Sequence, residues 1–251
     1  MKSSTDFAPT TSFGLMLEGF PKSGKTSIAL TFPGPLYILD LDNNLGGPVR
    51  RLNELGKKPD FFYDQVSIDD KGLEVPQEKR WALLIENLKK AGSDPTIKTI
   101  VIDGLTMLDL YLQAHIVSKK DAGKEKQMTI SDWIPYKELM ARLITTFRGI
   151  GKNFILISHL MVEEDEMNKI KRYKPQMSSK LQDCIGGFFS DVWLVKMISD
   201  GPKTKIQVHA SNDATYPGLG NSLGMPNGWQ DWEPEKFFTS TFTKGLEKKK
   251  V

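Results

Sequence analysis

The sequence predicts an α/β fold, a mostly parallel sheet covered by helices, with a phosphate-binding loop after its first strand. Three observations carry that expectation. Residues 19–26, GFPKSGKT, fit G-x-x-x-x-G-K-[ST] at every fixed position. Short apolar runs alternate with segments of helical periodicity, as in parallel strands joined by crossover helices. Polar residues stand directly after several of those runs, at the strand ends where open parallel sheets bind their ligands.

Taken in order, residues 13–17 read as a strand, followed by the glycine-rich loop and a helix over about 25–32. Residues 36–39 (LYIL) form a second strand that ends in Asp40-Leu41-Asp42 and a turn-rich stretch, NNLGGP, over 43–48. Residues 61–66 make a short third strand. Trp81, Leu84, Ile85 and Leu88 fall at helical spacing within a helix over 77–91, which GSDP at 92–95 stops. The β-branched run TIVI at 99–102 is a central strand ending in Asp103, with a helix over about 106–120 behind it. A further helix covers 133–149. Residues 153–157 form a strand ending in Ser158-His159, and 188–195 and 205–209 are two more strands. From residue 216 the chain is rich in Gly, Pro and aromatics and reads as an irregular appendage on the core. The expected organisation is an N-terminal arm (1–11), a nucleotide-binding core (12–215) and an appendage with a basic tail (216–251).

Composition narrows the setting. Hydrophobic residues make up 39% and charged residues 26%, ordinary for a soluble globular chain. The single cysteine, Cys184, excludes an internal disulfide and any multi-cysteine zinc site, which points to a reducing cytoplasm. No apolar run reaches the roughly 18 residues of a membrane span, and the first residues, MKSSTDFAPTTS, contain no secretory h-region. Residues 244–251 hold four lysines and one glutamate, which accounts for the whole net charge of +3. The rest of the chain is formally neutral. Nucleic acid would therefore have to be held by local patches and not by a global field.

The chemistry of the loop requires its composition. Glycines let the backbone curl until its N–H groups face phosphate. Lys25 would reach the β- and γ-phosphates of a nucleoside triphosphate, and the Thr26 hydroxyl would ligate Mg²⁺. Gly19, Phe20, Pro21, Lys22, Ser23, Gly24, Lys25, Thr26 and the following Ser27 are the candidate binding residues for ATP. Asp103, after four apolar residues, fits the carboxylate that organises the Mg²⁺ water shell, or else caps the turn at Gly104–Thr106. Asp42 is the candidate general base or water-positioning residue, with Asp40 two residues away on the same strand end. An Asx turn opening the Asn43-Asn44 loop is the other reading of Asp42.

The order GFPKSGKTS, YILDLD, TIVIDGLT, FILISH resembles the RecA-like core ATPases of bacteriophages, which are grouped with AAA-type nucleotide-binding proteins and linked to single-strand annealing or recombination. The resemblance covers roughly residues 12–215. It implies a RecA-like P-loop NTPase fold and Mg²⁺-dependent ATP hydrolysis stimulated by single-stranded DNA. It also implies subunits assembled in a filament or ring with ATP between neighbours. In that family an acidic residue acts on the attacking water, and Asp42 matches its place, with a side chain one methylene shorter than the Glu of the wider group. His159 matches the polar residue that senses the γ-phosphate; a locally hydrogen-bonded strand-end histidine is the other reading. DNA-contacting loops of the family correspond to residues 119–133 and 160–180. Lys119, Lys120, Lys124 and Lys126 are the candidate contacts in the first, with Trp133 beside them as a stacking or a core residue. Lys171, Arg172 and Lys174 are the candidates in the second. This second segment is polarised, acidic over 163–166 and basic over 169–174, so a hairpin turning near Asn168 would pair its charges and leave a self-neutralised flap. Lys180 matches a trans-acting finger by position.

Two other classes compete. A phosphotransferase acting on a small acceptor shares the loop but usually clamps a second phosphate with several arginines, and Arg172 is the one arginine after Arg148. A binding-only switch would use ATP to order a partner surface without useful turnover.

Overall fold

The apolar runs become the centre of a large sheet in the computed structural model, which describes residues 12–69, 71–120, 126–165, 170–201, 203–212, 216 and 218–239. Ten strands are present among these: β1 (Gly14–Gly19), β2 (Leu36–Asp40), β3 (Phe61–Asp64), β4 (Thr99–Asp103), β5 (Asn153–Asp165), β6 (Ile170–Pro175), β7 (Asp191–Asp200), β8 (Lys203–His209), β9 (Gly220–Asn221) and β10 (Gln230–Asp231). Five helices accompany them: α1 (Lys25–Ala29), α2 (Gly46–Glu54), α3 (Gln77–Ser93), α4 (Leu105–Ser118) and α5 (Trp133–Gly149). The sheet order is β10-β8-β7-β1-β5-β4-β2-β3, with β6 beside β5 and β9 beside β7. From β7 through β3 the neighbours run parallel; β7–β8, β8–β10, β5–β6 and β7–β9 are antiparallel.

Strand alternation sorts the core into two layers. Met16, Leu39, Ile100, Ile102, Phe154 and Leu156 pack against the apolar faces of α3, α4 and α5. Leu15, Leu17, Ile38, Val101, Ile155, Ile157 and Trp193 pack on the opposite face with Ile28 of α1 and Leu52 of α2. Covering both faces is what makes β1, β2 and β4 continuous apolar runs. Among the described residues no helix is long and apolar enough to cross a membrane.

The structure departs from the sequence expectations in several places. Residues 46–48, read as part of a turn-rich stretch, open α2, which runs on to Glu54. Gly46, Gly47 and Pro48 sit in its first turn, where a proline costs no helical hydrogen bond, and Val49 and Leu52 turn onto the core. Strand β5 runs past its expected end at 157 to Asp165 and pairs antiparallel with β6, residues 160–165 against 170–175, as the hairpin reading of the charge pattern expected; Asn168, the expected turn, lies outside the described residues. Strand β7 begins at Asp191 and extends to Asp200, five residues beyond its expected end. The appendage also contributes β9 and β10 to the sheet.

One buried carboxyl has no counterpart in the sequence reading. Glu18 stands in register between Ser158 and Leu194 near the end of β1, and burial pushes it up from the ordinary 4.5 to about 7. The folded chain therefore holds this proton more tightly than the unfolded one. The group is tolerated best below about pH 4.5, and that stability is lost as pH rises to about 7. Glu18→Gln should melt at higher temperature than the wild type at pH 8, by a difference on the order of 3 kcal/mol. The gap should narrow as pH falls toward 5. Parallel melts at equal spacing across that range would show that Glu18 does not carry the effect.

Candidate active site

Strand β1 delivers the phosphate loop at its carboxyl end, and the loop turns through left-handed backbone at Lys22 (φ 64°) and Gly24 (φ 96°). Gly24 also sits under a neighbour. A Cβ there would meet Ile206 Cδ1 at 2.7 Å, and one at Gly19 would meet the Val195 carbonyl oxygen at 2.4 Å. Both glycines therefore let the β7–β8 hairpin lie directly on the loop. The first α1 hydrogen bond runs from Ile28 N–H to the Gly24 carbonyl. That leaves the N–H groups of residues 25–27 without an acceptor inside the helix.

Lys25 is buried at the centre. Its Nζ donates to the carbonyls of Gly19 (2.8 Å) and Phe20 (2.9 Å) and to Ser23 Oγ (3.4 Å). Burial pulls this ammonium down from 10.5 to about 8, against the opposing pull of Asp103 and Asp42. It still carries its proton at neutral pH. Asp103, the last residue of β4, accepts a hydrogen bond from Thr26 Oγ1 at 2.7 Å. Burial raises its carboxyl to about 6, partly countered by that hydrogen bond, so it is mainly ionised at pH 7. A hydroxyl and a carboxylate oxygen so placed are hard donors of the kind that would hold Mg²⁺. Among the described residues no group of three or more His, Cys, Asp or Glu side chains gathers to hold a metal alone.

The two aspartates after β2 are separated in use. Asp40, fully buried, accepts from the N–H groups of Asn44 (3.1 Å) and Leu45 (3.3 Å) and from Gln65 Nε2 (3.1 Å). It serves the turn into α2. Asp42 instead lies in the cavity, and a Cβ on Gly104 (φ 120°) would meet its Oδ1 at 2.5 Å. His159 of β5 stands between Asp42 and Lys25, with Nε2 3.4 Å from Asp42 Oδ2 and Nδ1 3.4 Å from Lys25 Nζ. An ammonium only donates, so Nδ1 is the accepting nitrogen and Nε2–H faces the carboxylate.

These residues share one cavity of about 460 Å³. Pro21, Lys22, Ser23, Gly24, Lys25, Thr26, Ser27, Asp42, Asp103 and His159 all line it. Gly19 and Phe20 do not. The Phe20 ring is exposed and turned edge-on to Tyr173 of β6 at 6.0 Å. Sequence reasoning missed five further walls: Asn44 before α2, Gly47, Pro48 and Arg51 of α2, and Met197 of β7. Their signals were hidden in a helix and a strand extension that propensity did not reveal.

The proposed DNA-contacting cations fare unevenly. Lys120 is tied to the Gln127 carbonyl (2.7 Å) and to Asp132 (2.6 Å), whose carboxylate also closes the capping box with Thr129 on the short 3-10 turn Ile130–Asp132 before α5. Lys171 pairs with Glu164 at 2.8 Å, and Lys174 with Glu163 at 2.6 Å and Asp183 at 2.9 Å. The β5–β6 hairpin thus pairs acidic against basic strand. Lys119, Lys126, Arg172 and Lys180 are exposed, while Lys124 lies outside the described residues. Trp133 packs edge-on against Tyr136 at 5.2 Å and belongs to the core.

In overall shape the chain is similar to a KaiC-like protein from the hyperthermophilic archaeon Pyrococcus horikoshii. The two share 14% identity at a TM-score of 0.43, with 88% of this chain and 89% of that one covered. No curated protein matches it in sequence. A sequence family described as AAA domain matches residues 14–217, the stretch that carries the phosphate loop, both aspartates and His159, and the chain belongs to that family of P-loop ATPase domains.

Proposed function

We propose that the protein is a Mg²⁺-dependent ATPase with a RecA-like core that acts on single-stranded DNA in phage recombination, annealing or repair. The convergence of four strand ends on one cavity carries the ATPase reading: β1 brings Lys25, β2 leads to Asp42, β4 ends in Asp103 and β5 brings His159. In this reading Lys25 exchanges the Gly19 and Phe20 carbonyls for the β- and γ-phosphates of ATP. Thr26 and Asp103 hold Mg²⁺, which supplies charge neutralisation of the phosphate oxygens when bound. Asp42 orients the attacking water and accepts its proton. His159 donates to Asp42 and accepts from Lys25, so movement of Lys25 toward phosphate is felt at the base.

The DNA-binding part rests on the resemblance and on exposed Lys119, Lys126 and Arg172. Assembly of subunits with ATP between them is part of the same proposal. A binding-only switch is the second reading. It is favoured by a hairpin whose charges are paired internally and whose Tyr173 touches Phe20 of the phosphate loop.

Hydrolysis assays with and without single-stranded DNA separate the readings. Lys25→Ala and Asp103→Ala should each abolish tight Mg–ATP binding. Asp42→Asn should keep binding and lose about two orders of magnitude or more in kcat. Equal turnover by the Asp42 variant and the wild type would return that residue to a turn role. Gly104→Ala should act like a mild Asp42 variant, because the new methyl displaces the carboxylate. About a tenfold lower kcat with near-native ATP affinity is the expected split.

For DNA, the variant carrying Lys119→Ala, Lys126→Ala and Arg172→Ala should bind labelled oligonucleotide more weakly in the presence of ATP. It should also flatten the log–log salt dependence by about 0.7 for each lost contact. Absence of oligonucleotide binding in every nucleotide state would overturn the DNA reading and leave the switch.

A further inference from the structure

The cavity extends past the groups that would meet phosphate. Beyond Ser27 its walls are Gly47, Pro48 and Arg51 on α2 and Met197 on β7. Positions 47, 48 and 51 are three and four residues apart, so they form one stripe of α2 facing the site. Asp40 sets where that stripe lies, because its carboxylate fixes the Asn44 and Leu45 N–H groups at the start of the helix.

Arg51 closes this end. Its Nη2 donates to the Thr204 carbonyl (3.1 Å) and Thr204 Oγ1 (2.8 Å), and its Nη1 lies 3.3 Å from Met197 Sδ. The guanidinium thus spans from α2 to both strands of the β7–β8 hairpin. The hairpin is itself seated on the phosphate loop through Ile206 over Gly24 and the Val195 carbonyl over Gly19. Loop, hairpin and α2 form a ring of contacts around the far end of the cavity. A second depression of about 280 Å³ shares Ser27 and Arg51 as walls with this cavity. Arg51 is therefore a wall common to both cavities.

Building on the nucleotide-binding reading, we propose that Arg51 is the nucleoside-binding residue of this site. It latches α2 to the β7–β8 hairpin and, with Met197, offers a flat polarisable surface to the base. A planar guanidinium and a thioether both attract an aromatic face. Neither reads the donors and acceptors on a base edge in that arrangement. The site takes purine nucleoside triphosphates by stacking, so ATP and GTP bind with similar affinity.

Calorimetric titrations of the full chain with ATP, GTP and inorganic tripolyphosphate, each with Mg²⁺, test this. Arg51→Ala should weaken ATP and GTP by the same factor, about tenfold, and leave tripolyphosphate unchanged. Arg51→Lys keeps the charge without the plane and should behave like Arg51→Ala. Thr204→Val loosens the latch but keeps the arginine. It controls for a structural effect, and its loss of ATP affinity should be smaller than that of Arg51→Ala. Equal weakening of tripolyphosphate would place Arg51 on phosphate and overturn the inference. So would rescue by lysine, an unchanged ATP affinity, or a wild type that strongly prefers one purine. Failure of the wild type to bind any of the three ligands would instead overturn the nucleotide-binding reading beneath it.

Discussion

A single buried ammonium organises this molecule's candidate site. Lys25 sits where water is scarce, and its charge is tolerated because three loop oxygens, at 2.8 to 3.4 Å, replace the lost hydration. A buried cation without such acceptors would cost several kcal/mol. The loop must therefore curl until its own carbonyls face inward, which requires left-handed backbone at Lys22 and Gly24. Asp103 and Asp42 contribute at longer range, as their upward pull on the lysine shows. The arrangement is balanced for exchange. Phosphate oxygens carry more charge than carbonyls, so a triphosphate offers the ammonium a stronger set of acceptors.

The two aspartates of the LDLD segment illustrate how a two-residue step changes a carboxylate's work. Asp40 ends β2 and is enclosed, so each oxygen must find a donor, and the nearest are the unpaired N–H groups at the start of α2. That requirement orients α2 and, through it, the stripe bearing Arg51. Asp42 lies past the strand, where only Gly104 leaves space for it against the end of β4. A side chain at position 104 would push it out of line with His159. One aspartate is committed to geometry, which leaves the other to face the cavity.

Much of this was legible in the sequence, and the rest was hidden for identifiable reasons. The GFPKSGKT loop and the TIVID strand are read directly, because a motif in strand–loop–helix context and an apolar run ending in a carboxylate constrain both fold and position. Helix α2 was not legible: GGP reads as a turn by propensity, and only the Asp40 contacts and core packing of Val49 and Leu52 make it helical. With α2 unseen, Arg51 had no place in the site. Met197 was lost for a different reason. Strand β7 continues past its buried stretch into half-exposed residues, where the apolar signal fades although pairing with β8 persists. The burial of Glu18 was equally invisible, since a lone acid in an apolar strand reads as a strand end.

The β5–β6 hairpin shows how one strand can join the parallel sheet to an outer surface. Residues 153–159 of β5 lie inside the parallel sheet, and the same strand then leaves it to pair with β6 alone. Its root is tied down three times. Gln176 N–H donates to the His159 carbonyl (2.8 Å), Thr106 Oγ1 to the Gln176 carbonyl (3.0 Å), and Ser178 N–H to the buried Asp109 carboxylate (2.8 Å). Farther out, Tyr173 rests on Phe20 of the phosphate loop. The hairpin thus meets the site at two points, through the backbone of His159 and through the ring of Phe20. The ion pairs along its strands, being exposed, add little stability each. Their larger effect is electrostatic: they cancel the positive field that Lys171 and Lys174 would otherwise project. Among the described residues Arg172, on the same strand, is exposed. The physical links between this face and the cavity are therefore the Phe20–Tyr173 packing and the hydrogen bond to the His159 carbonyl.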